Sequence, residues 1–293
     1  MPPALQPAAC FGKTPRHGDF VRYGVGDALR AFDRWAGRAV YEGRRHPAFD
    51  GAYDAQAVVR FVYAPPRAAV ALVGAMCPSR DRSGRRYPFI VAAEAPGLGD
   101  TTAAPARLAP FFDEAARVAA DAAAGDLDHY DLVERLRAVD AAPPGDGGGL
   151  GRRLGAFGEG LWGDFEDARK LALFRNLRHV LRGAEDGFRF PLGLTPGADA
   201  RVWLAVVERM GGGAPSAFAV YEGGPAVGSP NLLAYTGAPH PNALLHLLVP
   251  GAQADGVVEL EARETAGTPG LPDHVGALLA DRALPLADLL RQL

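Results

Sequence analysis

Short apolar runs and stripes with helical spacing alternate along the first 140 residues of the chain. The runs predict buried strands, because they are mostly apolar and are bounded by glycine, proline or charged residues. These predicted strands are Ala8–Gly12, Val58–Tyr63, Ala68–Cys77 and Phe89–Ala93. The stripes predict amphipathic helices from Asp27, acting as a cap, to Gly43, from Pro105 to Ala124, and from Leu127 to Val139.

The second half continues with shorter elements separated by glycine and proline. Its patterns predict a helix at Asp164–Leu181, strands at Val202–Val207, Ala217–Tyr221 and Leu232–Tyr235, and helices at Asn242–Leu248 and Leu271–Leu293, the last divided by Pro285. Strands mixed with long helices in both halves predict an α/β fold. We expect a layered α/β/α sandwich with a mixed sheet, followed by a second α/β half.

A proline- and glycine-rich stretch separates the two halves. Residues Pro143–Gly149 have few side chains that could pack in a core and cannot continue a helix. We therefore expect an N-terminal domain at 1–140, a linker at 141–152 and a divergent C-terminal α/β region at 153–293.

Composition and charge narrow the classes of function. The net charge is −3 and the pI is near 6.2, which gives no general attraction to nucleic acid. The two cysteines, Cys10 and Cys77, lie in apolar segments and predict buried thiols rather than a disulfide or metal site. No apolar run approaches the roughly 20 residues that span a bilayer. We expect a cytoplasmic protein that binds no nucleic acid, inserts into no membrane and carries no metal or cofactor.

The segment Pro78–Phe89, called the arginine hairpin below, concentrates charge between two predicted strands. Its candidate binding residues are Arg80, Asp81, Arg82, Arg85, Arg86 and Tyr87. Two interpretations stay open. In one, Asp81 pairs with an arginine to shape a solvated turn, and exposed pairs of this kind add little stability. In the other, the guanidinium groups form a multi-donor surface for a carboxylate- or phosphate-bearing partner, and Tyr87 suits an interface.

A second charged segment, Phe11–Val21, is called the first motif below, and it contains the candidates Arg16, His17 and Asp19. Gly12-Lys13-Thr14 resembles the end of a phosphate-binding loop, but Pro7 stands where that loop requires its first glycine. His17 and Asp19 could orient a general base, although neighbouring alternate residues of an extended segment usually face opposite ways, and Asp19 also suits a turn. No histidine pair or Gly-x-Ser-x-Gly elbow indicates a further catalytic site.

Both segments resemble the TagF family, also called ImpM, of proteins associated with bacterial type VI secretion. The first motif is similar to the family signature GK-x-P-x-x-GDFV, and Phe32-Asp33-Arg34-Trp35 is similar to the WDxW-like helix that follows it. Residues Gly74–Phe89 are similar to G-x-x-x-PS-x-DRVGRxFPL. In the second half, Arg201–Ala205 stands at the place of a family S-x-WW-T strand but has a single tryptophan.

The resemblance implies a three-layer α/β sandwich and a cytoplasmic accessory protein without an active site. It further implies a repressor that restrains type VI secretion after translation by binding the forkhead-associated scaffold protein of the system. The alternative is a hydrolase or phosphatase-like enzyme that uses His17, Asp19 and Asp81. A third possibility is that both motifs are architectural and that the partner binds the divergent second half.

Overall fold

One sheet of nine described strands runs through the molecule, in the order β2-β1-β5-β4-β3-β7-β8-β6-β9. The computed structural model describes residues 5–64, 68, 70–98, 101–142, 150–157, 167–181, 187–192, 196–211, 218–222, 231–249, 257–260 and 270–293. The strands are β1 Ala9–Gly12, β2 Val21–Tyr23, β3 Val59–Tyr63, β4 Val70–Cys77, β5 Phe89–Pro96, β6 Gly187–Pro191, β7 Phe218–Glu222, β8 Asn231–Tyr235 and β9 Val257–Glu259. The β6–β9 pair is parallel and the other pairs of described strands are antiparallel, so the sheet is mixed.

Helices cover both faces of this sheet. They are α1 Asp27–Gly43, α2 Phe49–Ala55, α3 Ala104–Arg107, α4 Ala109–Ala124, α5 His129–Asp140, α6 Asp167–Val180, α7 Pro196–Met210, α8 Ala243–Leu248, α9 Asp273–Ala280 and α10 Leu286–Gln292. Alternate residues of one strand belong to different cores: Val73 packs on the face of α4, whereas Leu72 and Met76 pack on the face of α1. The predicted α/β/α layers are confirmed.

The two halves of the sequence meet in the middle of the sheet. Strand β3 pairs with β4 on one side and with β7 on the other, with Phe61 opposite Gly74 and Val220 respectively. On the α1 face, the indole nitrogen of Trp35 donates to the carbonyl of Pro239 at 3.1 Å. The sheet therefore continues from the first half of the chain into the second. The predicted linker lies mostly outside the described residues.

The strand predicted at Val202–Val207 is wrong, because these residues lie inside helix α7. Their valines and single tryptophan favour a strand locally, but the buried positions extend beyond the run to Ala200 and recur at helical spacing. Trp203 lies fully buried, and its indole nitrogen donates to the carbonyl of Pro191 at 2.9 Å. Tertiary packing has therefore overridden the local strand preference at the place of the S-x-WW-T resemblance.

The start of α1 also differs from the expectation. Asp27 is the first helical residue and does not cap the helix, because Gly26 occupies the N-cap position. The carboxylate of Glu94, on β5, instead accepts from the backbone nitrogen of Ala28 at 2.9 Å. A side chain distant in sequence thus satisfies a free amide of the first turn. The sequence patterns also missed β2, α2, β6 and β9.

Candidate functional site

The first motif and the arginine hairpin lie against each other at one end of the sheet. Strands β1 and β5 pair with Phe11 opposite Ile90, which places Gly12 beside the end of the arginine hairpin. A Cβ atom on Gly12 would lie 2.3 Å from the carbonyl oxygen of Pro88, and Gly12 has a φ of +147°. Only glycine fits there, because both the backbone conformation and the close approach exclude a side chain.

Asp81 is the anchor of this arrangement. Its side chain is buried, and its Oδ2 atom accepts from Lys13 Nζ at 2.9 Å and from Arg85 Nε at 2.6 Å. Its Oδ1 atom accepts from the backbone nitrogen of Ser83 at 3.0 Å, from Ser83 Oγ at 2.9 Å and from the backbone nitrogen of Arg85 at 3.0 Å. The aspartate therefore shapes the hairpin tip and also joins it to the first motif.

The protonation of Asp81 follows from these contacts. Burial by itself raises the pKa of a carboxyl group, because it disfavours the charged form. The hydrogen bonds from Lys13, Ser83 and Arg85 outweigh that effect and hold the pKa of Asp81 well below its usual range. The carboxylate is thus ionised at neutral pH, and all its close partners are donors.

Helices α1 and α2 hold the rest of the arginine hairpin. The guanidinium of Arg86 donates to Asp54 at 2.9 and 2.6 Å and to Asp50 at 3.1 Å. The hydrogen bonds between Arg86 and Asp54 raise the pKa of Arg86 and lower the pKa of Asp54. The backbone nitrogen of Ser79 donates to the hydroxyl of Tyr53 at 3.1 Å. On the α1 side, the Tyr87 hydroxyl donates to Asp33. Burial is the largest cause of the raised pKa of Tyr87, and this hydrogen bond is the next largest.

An aromatic cluster forms a second link between the two segments. Phe20 stacks on Phe11 with ring centroids 5.0 Å apart and meets Tyr87 edge-on, also at 5.0 Å. Lys13 Nζ lies 5.1 Å from the centroid of Phe20, and Arg22 covers the ring of Phe11 at 5.3 Å. Such contacts add to apolar burial and fix the relative position of the two segments.

The remaining candidates point outward. Arg80, Arg82 and Arg85 are exposed, and Arg85 keeps 61% of its side chain accessible while it bonds Asp81 and donates to the Gly18 carbonyl at 2.8 Å. Arg80 lies 4.0 Å from Asp54. The Arg82 side chain makes no ion pair with any described residue, although its backbone nitrogen donates to the His17 carbonyl at 2.9 Å. The cationic heads of the arginine hairpin are thus presented from a fixed backbone.

The three residues of the hydrolase alternative have different partners. His17 Nδ1 is hydrogen-bonded to Thr14 Oγ1 at 2.7 Å, and the exposed Asp19 accepts from the backbone nitrogen of Phe20 at 2.8 Å. Asp81 is buried and occupied by Lys13, Ser83 and Arg85. The described hydrogen bonds therefore do not join His17, Asp19 and Asp81 in one group.

The described residues show neither a metal cluster nor a membrane-spanning helix. No three histidine, cysteine, aspartate or glutamate side chains of the described residues cluster in a way that could hold a metal ion. No described helix combines the length and the apolar character needed to cross a membrane. Both cysteines are free thiols, Cys10 buried and Cys77 partly buried.

Sequence reasoning missed three residues that hold the site, namely Lys13 inside the first motif and Asp50 and Asp54 outside both motifs. The sequence relates Lys13 only to the end of a phosphate-binding loop, whereas its ammonium group is buried against Asp81. Asp50 and Asp54 lie four residues apart on α2, a spacing that places both carboxylates on one helix face. That spacing beside the buried Phe49 and Tyr53 is the signal that could have revealed α2.

Comparison with known proteins gives a family match for part of the chain and a similar solved structure. Residues 9–139 match the family profile of the TagF N-terminal domain, described as type VI secretion system-associated. Among solved structures, the chain resembles PA0076 from Pseudomonas aeruginosa PAO1 with a TM-score of 0.55 and 18% identity, over 90% of this chain and 100% of that chain. At this identity the likeness shows a shared fold. The search of curated proteins found no significant match.

The profile match contains both the first motif and the arginine hairpin, together with the helices that hold them. The joining of the two motifs through Lys13, Asp81 and Gly12 is therefore a property of the matched region. Residues 9–139 of this chain therefore form a TagF N-terminal domain, a domain described as type VI secretion system-associated.

Proposed function

We propose that this protein is a cytoplasmic regulator of the type VI secretion system that represses secretion after translation by binding the forkhead-associated scaffold protein. The observation that carries the proposal is the arrangement of the arginine hairpin. Asp81, Arg86 and Tyr87 are held by intramolecular bonds, whereas Arg80, Arg82 and Arg85 present cationic heads to solvent. A rigid backbone that displays arginines suits recognition of carboxylates on another protein.

The proposal includes no catalytic step. The Asp81 carboxylate, which a hydrolytic mechanism would need free, is surrounded by donors from Lys13, Ser83 and Arg85. His17 and Asp19 bond to the first motif itself. These contacts give the hydrolase alternative no specific support, because each of the three side chains is bonded within its own motif or to the other motif.

Binding of the purified protein to the purified scaffold tests the proposal. We expect wild-type protein to bind and Arg82→Glu to raise the Kd at least about tenfold at low salt, with a smaller difference at 0.5 M salt, because interfacial charges act mainly through screened attraction. Arg291→Glu is the control, since Arg291 lies exposed on α10 and far along the chain. Neither change should lower the Tm by more than about 2 °C, because both side chains are exposed.

Two results would contradict the proposal in different ways. Wild-type protein that does not bind the scaffold would exclude the scaffold as partner. Wild-type binding that Arg82→Glu leaves unchanged would remove the arginine hairpin from the interface. In a host with an active secretion system, overproduction of the wild-type protein should lower secretion, and overproduction of Arg82→Glu should lower it less.

A further inference from the structure

A third segment, remote from both motifs in sequence, joins the exposed surface of the arginine hairpin. The turn between α4 and α5, residues 125–128, packs against the first motif. A Cβ atom on Gly125 would contact the Pro15 ring at 3.5 Å, and Arg16 Nε donates to the Gly125 carbonyl. The hydrogen bond from the Asp131 amide is the largest cause of the lowered pKa of Asp128, and the positive charge of Arg16 also contributes.

The order of contacts makes this surface continuous. Two hydrogen bonds join the arginine hairpin to the first motif. The backbone nitrogen of Arg82 donates to the His17 carbonyl at 2.9 Å, and the guanidinium of Arg85 donates to the Gly18 carbonyl at 2.8 Å. The first motif then touches the α4–α5 turn through Arg16. The three segments therefore join in one connected surface, although the sequence separates each from the next by more than 30 residues.

Tyr130 is the most exposed large apolar side chain of the described residues, with 82% of its surface accessible. It lies two residues beyond Asp128, in the first turn of α5. The carboxylate of Asp128 accepts from the backbone nitrogens of Tyr130 at 2.8 Å and Asp131 at 2.9 Å, and the Asp131 side chain bonds back to Asp128 as a capping box. The cap holds the backbone that carries the tyrosine ring in one conformation.

We infer that Tyr130 and the α4–α5 turn are part of the binding surface, and that the partner offers carboxylates opposite Arg82 and an apolar recess for the Tyr130 ring. The inference rests on the proposed function and names further contact residues of the same interface. A single exposed tyrosine is ordinary. Here the ring stands on a capped helix whose preceding turn is bonded by the exposed Arg16, and a pre-ordered aromatic anchor near charged groups is typical of an energetic centre of a protein interface.

The test measures binding of full-length variants to the purified scaffold. Tyr130→Ala should weaken binding about thirtyfold, as expected for truncation of an aromatic anchor. Tyr130→Phe should bind within about threefold of wild type, because the ring supplies most of the buried apolar area. Tyr41→Ala is the matched control: Tyr41 is 66% exposed on α1, where the Arg45 guanidinium lies 5.6 Å from its ring.

The salt dependence of binding distinguishes the charged contact at Arg82 from the apolar contact at Tyr130. The effect of Arg82→Glu should shrink in 0.5 M salt, whereas the effect of Tyr130→Ala should persist, because apolar burial is not screened. A Tyr130→Ala variant that binds as tightly as Tyr41→Ala would overturn the inference while leaving the proposed function intact. Wild-type protein that fails to bind the scaffold would instead overturn the proposed function, and this inference with it.

Discussion

Lys13 Nζ lies 2.9 Å from Asp81 Oδ2, across 68 residues of sequence, and both side chains are almost fully buried. Each residue lies in a charged segment whose local sequence favours exposure to solvent. Burial of either charge alone is unfavourable, so each segment supplies the charge that the other requires. The ion pair therefore neutralises both buried charges where the first motif packs against the arginine hairpin.

Replacement of Lys13 by methionine should destabilise the protein, because it leaves the buried Asp81 carboxylate without its buried cation. We expect the Tm to fall by roughly 5 °C or more, as for other broken buried pairs in chains of this size. Differential scanning fluorimetry measures the shift. Arg30→Met removes an exposed pair with Asp27 and should change the Tm by no more than about 1 °C. Equal shifts for both variants would show that the buried pair has no special weight.

Gly12→Ala tests the contact between the two motifs without any change of charge. A Cβ atom there would lie 2.3 Å from the Pro88 carbonyl oxygen in a left-handed backbone conformation, so we expect a loss of more than about 2 kcal/mol. Urea denaturation measures it. The matched control is Gly51→Ala, because a Cβ atom on Gly51 of α2 meets nothing within 4 Å. That variant should gain up to about 1 kcal/mol from helix propensity.

The fold could be predicted from sequence wherever a local pattern and tertiary burial agree. The strands that flank the arginine hairpin and helix α4 show this agreement, since their apolar positions face one core or alternate between two. Helix α7 shows the opposite case. Its run of valines favours a strand locally, and only its burial on several sides stabilises it as a helix. Pairings between distant segments, such as β3 with β7, leave no local signal at all.

The candidate site could be located from the sequence but not resolved into roles. Charge density marked the arginine hairpin, yet it did not separate the buried Asp81 from the exposed Arg82. The burial of Asp81 depends on Lys13, and the position of Arg86 depends on Asp54; both partners belong to other segments and approach only in the folded chain. Arginine ion pairs set by tertiary contact cannot be assigned from spacing alone. For the same reason, the sequence does not predict that the α4–α5 turn contacts the first motif through Arg16.

The lowered pKa of Asp81 predicts a defined dependence of stability on pH. A carboxyl group whose pKa is lower in the folded state stabilises the protein fully above its unfolded pKa of about 3.9, and the stabilisation is lost as the pH falls further. Wild-type Tm should therefore fall more steeply below about pH 4 than the Tm of Asp81→Asn, which starts lower at pH 7. Asp27→Asn, at an exposed carboxylate, should follow the wild-type curve. Parallel curves for wild type and Asp81→Asn would contradict the assigned role.

Because the sheet is continuous, an isolated N-terminal domain is expected to behave differently from the same domain in the full chain. A fragment of residues 1–142 contains the whole TagF N-terminal domain but lacks β7, so the five residues of β3 lose their second pairing partner. It also lacks Pro239, which accepts from Trp35, and Leu244 and Leu248 of α8, which belong to the core on the α1 face. An unpaired apolar edge strand favours association between chains.

We therefore expect the 1–142 fragment to self-associate at concentrations where the full chain does not, as measured by size-exclusion chromatography with light scattering. Amide hydrogen exchange should be faster in β3 of the fragment than in β3 of the full chain, while β5, paired with β4 and β1 in both, should change less. A fragment that is monodisperse and equally protected in β3 would show instead that the predicted domain at 1–140 folds independently. In that case the β3–β7 pairing would join two stable units rather than complete one.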